Sequence, residues 1–64
     1  MKLLALDQAS RTTGYAVFQD DELLKSGTFT LKSDDVGERL AEYRKKIENL
    51  IIEYEIDEVA FEDI

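Results

Sequence analysis

The segment Lys2-Leu-Leu-Ala-Leu-Asp7 constrains the fold more than any other stretch of this chain. Alternate residues of an extended strand point to opposite faces, so Leu3 and Ala5 share one side and Leu4 and Leu6 the other. A strand apolar on both faces belongs in the middle of a sheet that is covered on both sides. This one ends on a carboxylate, which is costly to desolvate unless it is paired. The only basic residue in the segment, Lys2, lies at its far end. Asp7 is therefore either a solvated strand tip or a group held for a cation.

The residues that follow predict a simple order of elements. Gln8 to Thr13 is polar and reads as a turn, and Gly14 to Phe18 reads as a second strand. Gln19-Asp20-Asp21 predicts a hairpin turn, and Glu22 to Leu31 a third strand. On that strand Leu23, Phe29 and Leu31 share one parity, Ser26, Thr28 and Thr30 the other, and Gly27 marks a bulge or a close neighbour. Ser33-Asp34-Asp35 opens a helix, with Asp35 and Glu38 as a capping pair. Val36, Leu40, Tyr43, Ile47, Leu50, Ile51 and Tyr54 recur at helical spacing and form one apolar stripe, with Ile52 off it. Asp35–Arg39 and Glu42–Lys46 stand at i,i+4 in the favourable order. The helix ends near Tyr54, and Asp57 to Glu62 predicts a fourth strand.

A strand, a helix and a strand make the crossover that sets two strands parallel in one sheet. The fold class is thus α/β, in the order β-β-β-α-β. A three-stranded antiparallel meander precedes one helix and a fourth strand parallel to the first. Residues 1–64 form part of a single domain, since one helix covers one sheet face and the first strand is apolar on both.

Composition removes several function classes. The chain has 64 residues, no cysteine, no histidine and a net charge of −7. Disulfides, thiolate or imidazole metal sites and histidine-based catalysis are excluded. No apolar run approaches the roughly 20 residues of a membrane span, and Met1-Lys2 leads straight into a strand rather than a signal peptide. The expectation is a soluble, cytoplasmic protein with no membrane partner. The acidic balance argues against a broad phosphate-binding surface.

If the fourth strand lies parallel beside the first, Asp7 and Glu62 meet at their C-terminal ends, where open α/β sheets place ligands. The helix would pack on Leu4, Leu6, Val59 and Phe61 and leave both acids on the opposite face. Two oxygen donors without histidine or cysteine suit a hard cation such as Mg²⁺ or Mn²⁺. Paired carboxylates on such ions are the apparatus of two-metal phosphodiester cleavage. The competing reading is a solvated strand end in a chain with fifteen acids.

Asp7-Gln-Ala-Ser-Arg-Thr-Thr-Gly-Tyr-Ala-Val17, followed later by Val59-Ala-Phe-Glu62, resembles the RuvC-type Holliday junction resolvases, and is closest to their small phage-borne members. The resemblance implies a ribonuclease H-like fold whose first strand carries an Asp before a Ser-Arg-x-Thr-Gly-Tyr turn and whose fourth carries a Glu after an apolar pair. It makes Asp7 and Glu62 the catalytic, metal-binding acids, Mg²⁺ or Mn²⁺ the cofactor and branched DNA the substrate. Gln8-Ala9 departs from the commoner Pro-Gly, a change that bears on loop stiffness. The family's two further acids, its basic DNA-gripping residues and its dimer helix come later in the chain. The resemblance thus implies the N-terminal portion of a resolvase, roughly two-fifths of a chain of ordinary domain size. Catalysis by these residues alone is not expected.

Two other readings stay open. Leu6-Asp7-Gln8 with Thr12-Thr13 is similar to the opening of sugar kinases and actin-like ATPases, where turn amides hold phosphate. Against it, Gly14 is the only glycine in the turn, and it comes late. The third reading is a non-catalytic acidic module. An uncovered face also implies self-association, as a homodimer. Arg11 reads as a surface arginine or a phosphate contact, and Tyr15 as a core residue or a base-stacking one. Asp63 points away from the site, and Arg44-Lys45-Lys46 is a solvated helix face.

Overall fold

The computed structural model of the chain describes residues 1–8 and 11–62. Four strands and one helix follow in the order β1 (Lys2–Gln8), β2 (Thr12–Gln19), β3 (Glu22–Thr30), α1 (Val36–Tyr54) and β4 (Glu58–Glu62). They build one sheet in the spatial order β3-β2-β1-β4. β1 pairs antiparallel with β2 and parallel with β4, and β2 pairs antiparallel with β3. This is the expected meander, helix and parallel fourth strand of an incomplete ribonuclease H-like α/β fold. Asp63 lies outside the described residues.

The β1–β2 hairpin is longer than the polar sequence suggested. Gln8 pairs with Thr13 in the ladder, so the two strands run past Asp7 before the chain turns. Thr13 follows the parity of Tyr15 and Val17 and is fully buried, 0% exposed. Among the described residues its Oγ1 has no hydrogen-bond partner. A buried hydroxyl without a partner costs free energy that a methyl of the same shape does not. Thr13→Val is therefore expected to stabilise the chain by about 1 kcal/mol, read from the midpoint of a urea titration.

A bulge in β3 changes what the sequence parity implied. Val17 faces Lys25 but Phe18 faces Leu23, so Leu24 is the extra residue. Beyond the bulge the alternation reverses, and Leu23 joins Phe18 on the face away from Phe29. The bulge does not fall at Gly27. That glycine serves a close neighbour: a Cβ there would stand 2.8 Å from the Tyr15 hydroxyl oxygen and 3.0 Å from its ring. Tyr15 lies across its glycine partner and stacks towards Phe29, whose ring centroid is 6.3 Å away.

The helix begins as its acids require. Asp35 Oδ1 accepts from the Glu38 amide at 3.1 Å, satisfying one of the free amides of the first turn. Glu38 does not close the reciprocal half of the box; Ser33 Oγ donates to it instead and accepts from the Asp35 amide at 3.1 Å. The helix ends on Glu55, in the left-handed region with φ 53°. Among the described residues the i,i+4 ion pair on α1 is Arg44–Glu48, at 3.0 Å. Glu42 turns back instead to accept the Lys32 and Ser33 amides.

The core is thin. Leu4, Leu6 and Val17 form its buried centre, with Ile47, Leu50, Ile51 and Tyr54 of α1 and Val59 of β4 packed around them. No residue of α1 is itself fully buried. Val36 and Leu40, at the N-terminal end of the stripe, stay exposed. Phe61, expected beneath the helix, is 64% exposed, because the stripe packs on β1 and β2 rather than on the outer edge of β4. The second face carries Leu3, Ala5, Ala16, Phe18 and Leu23, and no helix among the described residues covers it.

Candidate metal centre

The register that positions the centre is set at the opposite end of the sheet. Asp57, between α1 and β4, grips Lys2 twice: its amide donates to the Lys2 carbonyl at 2.9 Å, and its Oδ2 accepts from the Lys2 amide at 2.8 Å. From there the parallel ladder runs Leu3–Glu58, Leu4–Val59, Ala5–Ala60, Leu6–Phe61 and Asp7–Glu62. Adjacent strands stand about 4.8 Å apart, so the backbones of Asp7 and Glu62 are immediate neighbours at the C-terminal ends of two parallel strands. A slip of one residue would break that pairing.

Asp7 is exposed and follows the parity of Leu3 and Ala5, away from α1. With Ala5, Gly14, Ala16 and Phe18 it lines an open hollow of ≈ 390 Å³ on the uncovered face. Its partner across the hairpin is Gly14. A Cβ there would stand 3.9 Å from Asp7 Cβ, an ordinary van der Waals contact. Among the described residues no three Asp, Glu, His or Cys side chains gather. The donor set at this edge is hard oxygen, which fits a hard divalent cation and leaves much of a six-oxygen shell to other donors.

Arg11, just before β2, is tied to the segment between β3 and α1. The Leu31 amide donates to the Arg11 carbonyl at 2.8 Å, and the Arg11 guanidinium donates to Asp34. That hydrogen bond, followed by the charge of Arg11, holds the Asp34 carboxyl below the usual carboxylate range. On the helix, burial pushes the pKa of the Tyr43 hydroxyl upward, and among the described residues its oxygen has no hydrogen-bond partner. Arg11 is thus a surface arginine, 45% exposed and paired with Asp34, and Tyr15 packs against the core cluster. Polarity alone could not locate the Arg11–Asp34 pair or the grip of Asp57 on Lys2, since both join residues far apart in sequence.

The family model for the crossover junction endodeoxyribonuclease RuvC matches residues 3–64. The chain belongs to the RuvC family. It is 32% identical to the crossover junction endodeoxyribonuclease RuvC of Sulfurovum sp. (strain NBC37-1) over 68 aligned positions, which take in all of this chain and 43% of that relative. It is 31% identical to the Campylobacter lari protein of the same name, again over 43% of its length. Against the Helicobacter hepaticus protein the identity is 33%, over 38% of its length. The chain therefore spans about two-fifths of the RuvC relatives it matches. No solved structure matches it. The RuvC match removes the sugar kinase and actin-like reading. No helix of the described residues is long and apolar enough to cross a membrane.

Proposed function

We propose that this chain is the metal-holding, N-terminal part of a Holliday junction resolvase, which cleaves phosphodiester bonds in branched DNA. Asp7 and Glu62 are its metal-binding acids, with Mg²⁺ or Mn²⁺ as the ion. The observation that carries the reading is the parallel register of Asp7 with Glu62 at the sheet edge, beside an uncovered face. A bound hard cation supplies an activated water and stabilises the leaving oxygen of the phosphodiester. The chain supplies anionic oxygens from Asp7 and Glu62, held on a rigid sheet rather than on loops. Two carboxylates fill only part of a six-oxygen shell, so the remaining ligands come from water or from the part of the family's length that this chain does not span.

The test is a chimera. Residues 1–64 replace the matching portion of the Helicobacter hepaticus RuvC protein, and cleavage of a synthetic four-way junction is followed with Mg²⁺. The chimera is expected to cut, and Asp7→Asn or Glu62→Gln to lower the rate at least about 100-fold. A folded, active chimera indifferent to both substitutions would overturn the reading.

The uncovered face supports a second proposal, that the 64-residue chain self-associates. Leu3, Phe18 and Leu23 offer large side chains there, and burying each stabilises by roughly 1.5–3 kcal/mol. Sedimentation at low micromolar concentration is expected to report dimers or larger species, and Phe18→Glu to return the chain to monomer. A monomer in both forms would contradict this.

A further inference from the structure

The apolar pattern of β4 does not by itself fix where that strand stands. β4 is an edge strand, and among the described residues its one sheet neighbour is β1. A one-residue slip would turn Val59 away from the core, whereas a two-residue slip keeps every side chain on its face. Moved back two residues along β1, β4 would set Phe61 where Val59 now stands, opposite Leu4. Phe61 is 64% exposed in the observed register, while Leu4 is 0% exposed at the centre of the core. The slip exchanges Val59 for the larger Phe61 over that core, so hydrophobic burial does not oppose it. Glu62 would then stand beside Ala5, about 6.6 Å short of Asp7.

The connection from the helix leaves that direction open. Glu55, Ile56 and Asp57 alone join α1 to β4. The Ile56 amide donates to the Ile51 carbonyl at 3.0 Å, and Ile56 packs against the core, so this short link resists a forward slip. A backward slip only lengthens the link, which costs little. Asp57 opposes it. Its amide donates to the Lys2 carbonyl at 2.9 Å, and its Oδ2 accepts from the Lys2 amide at 2.8 Å. A backward slip breaks both bonds, one of them charge-assisted.

We propose that Asp57 is a positioning residue for the metal centre. Its carboxylate, rather than the apolar pattern of β4, holds Glu62 in register with Asp7 from the far end of the strand pair. Five ladder steps separate Asp57 from Glu62, about 16 Å and so about twice the screening length at physiological salt. Asp57 therefore acts on the centre through register and not through its charge. Its bearing on metal binding rests on the nuclease reading; the register pin does not.

The test uses the 64-residue chain, labelled with ¹⁵N and ¹³C, and compares Asp57→Ala with Asp57→Asn, whose side-chain oxygen still accepts the Lys2 amide. Cross-strand NOE contacts are recorded first without metal. Asp57→Ala is expected to lose the Asp7–Glu62 contact and gain one between Ala5 and Glu62. The Leu4–Val17 contact between β1 and β2 should persist, as the sign of an intact fold. Asp57→Asn is expected to keep the Asp7–Glu62 contact. Adding Phe61→Ser to Asp57→Ala removes what the slip gains and is expected to restore that contact. Mn²⁺, followed by broadening of the Asp7 amide, should bind up to about tenfold more weakly to Asp57→Ala, the loss of one hydrogen bond to a charged group. Its binding to Asp57→Asn should be unchanged. An Asp57→Ala chain that keeps the Asp7–Glu62 contact, or an Asp57→Asn chain that loses it, would overturn the pin. An unmodified chain that binds no Mn²⁺ would overturn the bearing on metal and leave the register result standing.

Discussion

Leu6→Ala is expected to leave much of the chain unfolded at 25 °C. Leu6 is 1% exposed and belongs to a buried cluster of three, with Leu4 and Val17. The helix adds only partly buried side chains to that cluster, so no second layer can close over a cavity. A buried Leu→Ala change costs about 2–5 kcal/mol. A domain of this length holds about 3–10 kcal/mol in all, at roughly 0.05–0.15 kcal/mol per residue. Far-ultraviolet circular dichroism during a thermal scan reads the outcome. Ile52→Ala, at a 76% exposed position on the same helix, is the control and should shift stability by less than about 0.5 kcal/mol. A Leu6→Ala chain as stable as that control would mean that the core lies elsewhere.

The elements were legible in the sequence because their periods are clean. Leu3 to Leu6 and Val59 to Phe61 are short apolar runs of strand length, and Val36 to Tyr54 repeats as a helix; each lies within a few residues of its observed limits. The parallel pairing of β1 with β4 followed from the crossover, and with it the meeting of Asp7 and Glu62 in the ladder. What escaped were effects of tertiary partners. Thr13 reads as a turn residue, yet pairing with Gln8 draws it into the sheet and under cover. Leu24 carries no mark of a bulge, and one extra residue there sends Leu23 to the other face. Glu42 reads as the i,i+4 partner of Lys46, but two free amides at Lys32 and Ser33 compete for it and win. Amides near a helix start need acceptors, whereas an exposed ion pair gains little in water.

Asp7→Asn is expected to have opposite effects with and without metal. Like charges directly opposite on adjacent strands destabilise a sheet, in the range of about 0.2–1 kcal/mol. Neutralising Asp7 should therefore stabilise the metal-free chain by up to that amount. An ion bound only by the folded chain adds RT ln(1 + [L]/Kd), about 1.4 kcal/mol at ten times its dissociation constant. The unmodified chain should gain this from Mn²⁺ beyond what NaCl of equal ionic strength provides, and the Asp7→Asn chain should not. Urea midpoints under the four conditions report both signs. Equal gains in the two chains would mean that Mn²⁺ acts as a general counterion.

The central claim, that Asp7 and Glu62 share a metal site, is tested most directly by Mn²⁺ titration of the ¹⁵N-labelled chain. Paramagnetic broadening is expected first at the amides of Leu6, Asp7, Gly14 and Glu62, and to vanish from them in Asp7→Asn. Broadening that begins instead at Asp20, Asp21, Asp34 and Asp35, or that spreads evenly over all the acids and survives Asp7→Asn, would contradict the account.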